Sequence, residues 1–214
     1  IAFTDLNNDQ QISTDEVNQR DAITMLKNAG IEYIDDTADG TSGSGLMHHK
    51  FVVIDQKKVV TTSANFTLSD MHGDFLAPET RGNSNNMLVI DSPEAASIFT
   101  EEFNLMFRDR LFGTKKTPRP PRTLMLEGAA VTIKFSPDKP STDWQQTSNG
   151  LIGANLAKAK TKVDMALFVF AEPYLGNILE EQKVQVRALV DPSFAYREYA
   201  TTLDMWGYVS TQDC

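Results

Sequence analysis

Apolar and polar positions change their period several times along the 214 residues. From Thr14 the spacing is helical: Val17, Ala22, Met25, Leu26 and Ala29 share one stripe, and Gly30 stops it. Residues 31–34 alternate as a short strand, and 35–47, with three glycines and several small polar residues, form a connecting loop. The run His48-His49-Lys50-Phe51-Val52-Val53-Ile54-Asp55 reads as a buried strand, and a turn at Gln56-Lys57-Lys58 returns the chain as Val59-Val60-Thr61-Thr62. Residues 66–86 show no period and read as a long loop. Residues 87–90 are a strand, after which Asp91 or Ser92 caps a helix with Pro93 in its first turn. That helix carries Ala96, Ile98, Phe99, Phe103, Leu105, Met106 and Phe107 as core residues.

Residues 113–122 hold three prolines with Lys115, Lys116, Arg119 and Arg122, the composition of a solvated linker. Strands at 131–135, 163–170 and 184–190 then alternate with helices through Leu151, Ile152, Leu156 and Ala159, through Ile178 and Leu179, and over 196–206. Alternating strands and helices predict an α/β protein with a mixed, mostly parallel sheet flanked by helices. The predicted units are 1–112, the linker 113–122, and 123–214.

The chemistry sits at the start of the 48–55 strand. Alternation puts His48 and Lys50 on one face, with Val52 and Ile54 behind them. The returning strand can bring Ser63 and Asn65 beside them. An imidazole serves as nucleophile or general acid/base near neutral pH. An ammonium and an amide offer donors to the oxygens of an anion. Together these groups suit a phosphoryl group.

At these residues the chain resembles the phospholipase D superfamily. Its signature is His-x-Lys, four residues, Asp, then six residues and a Gly-Ser-x-Asn-type element. The matching residues are His48, Lys50 and Asp55, followed by Ser63 and Asn65, with Thr62 where glycine is common. The resemblance implies a phospholipase D-like sandwich and a phosphodiesterase that works through a phosphohistidine on phospholipid or nucleic acid, with no catalytic cofactor. His48 is then the nucleophile. Lys50 and Asn65 hold nonbridging oxygens, Ser63 assists, and Asp55 steadies the site through hydrogen bonds. Transfer to an alcohol, as in a phosphatidyltransferase, and a catalytically silent calcium-binding relative are the alternatives. The superfamily's usual site faces two such motifs, and this chain holds one. The expected arrangement is therefore parts of two lobes of a tandem protein, with the second motif beyond Cys214; pairing in a homodimer is the other route.

Asp5, Asn7, Asp9, Gln11, Ser13 and Glu16 fall at positions 1, 3, 5, 7, 9 and 12 of an EF-hand-like loop at 5–16, a candidate structural Ca2+ site. Gln10 stands where a glycine usually makes the sharp turn. The same residues also fit a polar turn leading into a helix capped by Ser13 or Thr14, with Glu16 in its first turn.

Composition narrows the partners. A formal charge of −9 argues against indiscriminate binding of nucleic acid through a broad basic surface, although a Lys50-lined pocket can still be locally positive. No apolar run approaches a transmembrane length, so a soluble protein is expected; its compartment is left open, with extracytoplasmic and membrane-peripheral positions both compatible. The single cysteine, Cys214, excludes an internal disulfide framework and assigns no compartment. His72 is a weak candidate for a second functional histidine and reads mostly as a surface residue.

Overall fold

The structure, a computed structural model, describes residues 4–41, 45–75 and 77–202. It divides into two compact units, Ile1–Lys116 and Thr117–Cys214.

In the first unit two short helices, α1 (Thr14–Arg20) and α2 (Ala22–Asn28), replace the single predicted helix. The break is at Asp21. Its extended backbone ends α1, and its carboxylate accepts the Thr24 N–H to start α2. Residues 31–34 are irregular and pair with no strand among the described residues. Strand β1 (Phe51–Ile54) pairs antiparallel with β2 (Lys58–Thr62). The short helix α3 (Leu68–Met71) lies within the predicted loop and is capped by Thr67. Strand β3 (Met87–Asp91) then pairs antiparallel with β2, so the sheet order is β1-β2-β3. Helix α4 (Pro93–Phe107) follows, with Pro93 in its first turn and the Ser92 hydroxyl accepting the Ala95 N–H.

Helix α4 packs on the sheet. Val59, at the centre of the middle strand, is fully buried, as are Ala95 and Ala96 facing it. Ile98, Phe99 and Met106 complete that face, and the Phe51 ring meets Phe99 edge-on at 5.0 Å. Phe103, predicted in the core, is exposed on the next stripe of α4 and stacks on Phe107.

The segment predicted as a solvated linker is partly absorbed into this unit. Phe112 is buried, Gly113–Lys115 forms a 3-10 turn, and the Lys116 side chain is buried against Glu102. Composition misled here because a buried carboxylate on α4 takes up the lysine's charge.

The second unit opens with a hairpin, β4 (Arg122–Leu126) and β5 (Ala129–Ile133). Glu127 and Gly128 between them both have positive φ, the geometry a two-residue hairpin turn needs. Helix α5 (Ser148–Leu156), strand β6 (Lys162–Leu167), helix α6 (Pro173–Glu181), strand β7 (Gln185–Val190) and the short helix α7 (Pro192–Ala195) follow. Strands β6 and β7 are parallel and joined through α6, a β-α-β unit. Its core is Phe170, Leu175 and Leu179, with Trp144, Val163, Met165 and Val186 packed around them. The mostly parallel sheet expected from the sequence is not what forms: three small sheets are present among the described residues, and only β6–β7 is parallel. Of the predicted helix 196–206, residues 196–200 form turns, Thr201 and Thr202 are helical, and 203–206 lie outside the described residues. No helix among the described residues is long and apolar enough to cross a membrane.

Gly153 lets α5 approach its neighbours. A Cβ there would lie 2.6 Å from the Trp144 ring and 2.8 Å from Ile178 Cδ1. Gly153→Ala is expected to destabilise this unit by about 1–3 kcal/mol through overpacking, read as a lower urea midpoint with an unchanged slope.

Candidate functional site

His48, Lys50, Ser63 and Asn65, but not Asp55, lie at one end of the first sheet. Its ladder runs one residue past β1, where the Thr62 N–H donates to Lys50 O at 3.0 Å. Lys50 and Thr62 therefore sit opposite each other. Inward and outward positions alternate as the sequence predicts: Phe51 turns to α4, while Val52 and Ile54 are exposed on the opposite face. The Lys50 Nζ lies 2.8 Å from His48 Nδ1 and 3.1 Å from Nε2, and it donates to His48 O at 2.9 Å. His48 itself is exposed.

Ser63 and Asn65 lie just beyond β2, held by residues from the long loop. The Ser63 hydroxyl donates to Asn85 Oδ1 at 2.8 Å and accepts the Asn86 N–H at 3.1 Å. The Asn65 N–H donates to Asp70 Oδ2 at 2.7 Å, and the Asn83 amide donates to the other oxygen at 2.6 Å. The Asn85 amide donates to Asp70 O at 3.2 Å. Asp70 is held below the usual carboxylate range, chiefly by the Asn65 N–H and then by Asn83; burial opposes this, and the Lys50 charge adds a smaller contribution. The Lys50 ammonium is thus within electrostatic reach of the scaffold that carries Asn65. Thr62, at the expected glycine position, donates its hydroxyl to Asn86 O and accepts the Ala64 N–H, which shapes the same turn.

Asp55 is not brought to this cluster. It lies in the hairpin turn, exposed and with φ 52°, at the opposite end of β1 from His48. Roughly 20 Å of extended chain separates the two residues. The turn begins one residue earlier than predicted, with Asp55 and Gln56 both at positive φ and the Lys57 N–H donating to Ile54 O. His72 bonds to Gly73 O and lies tilted against the Phe75 ring at 4.3 Å, as a surface residue would.

Residues 3–107 match the family described as cardiolipin synthase, PLD-like domain. This stretch of the chain belongs to the phospholipase D superfamily. The mitochondrial cardiolipin hydrolase of Homo sapiens is 30% identical over 100 residues, which cover 47% of this chain and 34% of that protein. The protein of the same description from Mus musculus is 30% identical over 87 residues, covering 41% of this chain and 33% of that protein. The chain thus spans about a third of the length of the curated relatives it matches. No solved structure matches it.

Asp70, Asn83, Asn85 and Asn86 join the superfamily motif without a signal in their spacing. Each lies in the loop between β2 and β3, which the ladder brings back beside Ser63. A second group lies beneath the motif. His49 Nε2 is 3.0 Å from Glu102 Oε1, and Lys116 is paired with the same oxygen. Glu102 is completely buried. Burial pushes its carboxyl up, but the hydrogen bonds and charges of His49 and Lys116 outweigh it and hold the carboxyl at about 2.

The EF-hand-like loop of the N-terminus forms the capped turn that its residues also fit. The Ser13 hydroxyl accepts the Glu16 N–H, and Glu16 Oε2 accepts the Ser13 N–H, a reciprocal capping box. Glu16 Oε1 accepts the Leu6 and Asn7 N–H groups. Asp5 accepts from Asp9 and Gln10, Asp9 from Gln11, and Asn7 exchanges bonds with Asp9. Gln10 has φ 67°, the conformation for which glycine is usual at that position. Both Glu16 oxygens accept hydrogen bonds from donors of this loop. Among the described residues no group of three or more His, Cys, Asp or Glu is placed to hold a metal. Asp5, Asn7, Asp9, Gln11 and Glu16, the set expected for Ca2+, form in this structure a hydrogen-bonded turn that leads into α1.

Those bonds lower the Glu16 carboxyl from its ordinary 4.5 to about 2, the Ser13 N–H contributing most, then the Ser13 hydroxyl, with burial opposing. A carboxyl lowered by folding stabilises the fold above its unfolded value and loses that contribution as pH falls. Glu16 is therefore expected to support the N-terminal segment fully above about pH 4.5 and progressively less toward pH 2. Urea melts of Glu16→Gln and the unaltered chain across that window should converge at the acid end; parallel curves would overturn the assignment.

Proposed function

We propose that this chain carries the nucleophilic half of a phosphodiesterase site acting on the phosphodiester of a phospholipid. The observation that carries the reading is the His48–Lys50 contact inside the matched superfamily stretch, beside a hydroxyl and an amide held by the β2–β3 loop. The lipid substrate is supported by the descriptions of the matching family and relatives, a cardiolipin synthase domain and cardiolipin hydrolases.

In this reading an imidazole nitrogen of His48 attacks phosphorus. The phosphorus–oxygen bond to the leaving alcohol breaks, and that oxygen takes a proton from an acid on a second motif. Water then attacks the phosphohistidine and gives its proton to the same group, and the nitrogen–phosphorus bond breaks to release a phosphomonoester. Lys50 supplies positive charge to the nonbridging oxygens, and the Asn65 side chain and Ser63 hydroxyl add donors. Asp55, at the hairpin tip, would act on the site only through groups outside the described cluster. The second motif comes from polypeptide beyond residues 1–214 or from a second copy of the chain.

The family description also favours a second reading, in which an alcohol replaces water and the product is a new phosphodiester. The test offers bis(p-nitrophenyl) phosphate, cardiolipin-containing vesicles and a single-stranded oligonucleotide, each with EDTA and with or without glycerol. Release of phosphatidic acid from the vesicles supports hydrolysis, and a glycerol adduct supports transfer. Cleavage of the oligonucleotide alone would overturn the lipid assignment. If a well-folded chain cleaves nothing, alone or joined to a second His-x-Lys element, the phosphodiesterase reading fails.

A further inference from the structure

The motif alternates outward His48, inward His49 and outward Lys50, and the middle residue has no role in the chemistry above. Its ring is half-buried, and Nε2 lies 3.0 Å from Glu102 Oε1. A carboxylate accepts, so this nitrogen carries the proton. Glu102 is itself immobilised: it is fully buried on α4 and paired with Lys116. The His49 ring also tilts against Phe51 at 5.7 Å, and Phe51 meets Phe99. Phe99 and Glu102 are three residues apart on α4 and so share a face. One face of α4 thus grips two successive inward residues of the motif strand.

The grip matters at residue 49 because regular pairing is running out there. Residues 46–50 are not part of β1, and the ladder ends at the Lys50 carbonyl. Upstream, the Met47 N–H bonds to Asp36 Oδ2, at an exposed position. His48 lies between that contact and the buried one. The His49–Glu102 bond ties the peptide units on either side of residue 49 to the buried face of α4, and those units set the directions of the His48 and Lys50 side chains. In-line attack on phosphorus is sensitive to such placement, and an error of about 1 Å can cost roughly 100-fold in rate.

We propose that His49, bonded to Glu102 and through it to Lys116, is a positioning residue that aims His48 and Lys50 at the substrate. Its kinetic consequence rests on the phosphodiesterase reading; its structural consequence does not.

The experiment compares His49→Leu, His49→Gln and His49→Asn in the chain, or in the active assembly if the chain needs a second motif. The amide nitrogen of glutamine reaches about as far as Nε2 of the histidine, that of asparagine falls short, and leucine has no donor. Two readouts are taken: kcat and KM for bis(p-nitrophenyl) phosphate, and the His48 ring signals in nitrogen-correlated NMR. The latter are assignable because the chain has only three histidines. His49→Leu and His49→Asn are expected to shift or broaden the His48 signals and lower kcat by about 10–100-fold, with KM changed less than about threefold. His49→Gln should restore both readouts to near those of the unaltered chain. A purely structural role would instead lower the melting temperature while folded protein kept its kcat and its His48 signals, and that result would overturn the proposal. If leucine prevents folding, asparagine decides. If the unaltered protein hydrolyses no phosphodiester, the functional reading fails and the NMR comparison alone settles the positioning role.

Discussion

His48→Asn is expected to remove phosphodiester turnover, with kcat/KM falling by at least about 10³-fold while the fold is retained. The asparagine amide cannot form the nitrogen–phosphorus bond on which both half-reactions depend. The side chain is exposed and its contacts are with Lys50, so its loss opens no core cavity. Stability should stay within about 0.5 kcal/mol, the range of ordinary surface substitutions. The measurement is single-turnover hydrolysis beside a urea melt of the same preparation. An acid-labile, alkali-stable phosphoryl adduct should form on the unaltered protein and be missing from the variant. Turnover retained in His48→Asn would move the nucleophile elsewhere and overturn the proposed mechanism.

The second large effect is one of stability. Glu102→Ala is expected to cost about 3–5 kcal/mol, enough to unfold a marginal domain, because it removes the carboxylate paired with the buried Lys116 ammonium. Pairing two groups in a dry interior does little net good relative to an apolar core, whereas breaking the pair leaves a desolvated charge. The double change Glu102→Leu with Lys116→Met should therefore recover most of the loss, since both charges then go. Urea denaturation of the three variants checks this; a double variant no better than the single would show that His49 or the shape of the site, and not the lysine charge, dominates. The same carboxylate adds acid sensitivity. Its folded value of about 2 lies below the ordinary 4.5, so its contribution is complete above about pH 4.5 and fades toward pH 2. This window overlaps that of Glu16, and Glu16→Gln separates the two.

Much of the first unit was legible because its signals are local. An apolar run, a turn and a second apolar run predict a hairpin, and Ser92-Pro93 ahead of a helical stripe predicts the start of α4. Strand alternation is geometric, so the opposite facings of Lys50 and Phe51 follow once β1 is recognised. Other local patterns had two solutions. Asp21 could sit within one helix or divide two, and its capping bond to Thr24 decided for two. Asp5, Asn7, Asp9 and Glu16 read equally as cation ligands or as acceptors for backbone N–H groups, and the structure shows their hydrogen bonds to the donors of their own loop.

By itself, then, the sequence determined the elements of the first unit, the motif His48, Lys50, Asp55, Ser63 and Asn65, and through it the superfamily. These depend on residue type and on spacings of a few positions, which covalent geometry and strand period translate directly into placement. Only the tertiary structure decided what lies around the motif. Asp70, Asn83 and Asn85 reach Ser63 and Asn65 because β3 pairs with β2 and draws their loop back. Glu102 meets His49 across 53 residues of chain, and Lys116 joins them from a segment whose composition suggested solvent. Such partners are set by helix-on-sheet packing and by the need to satisfy a buried charge, and no local period encodes either.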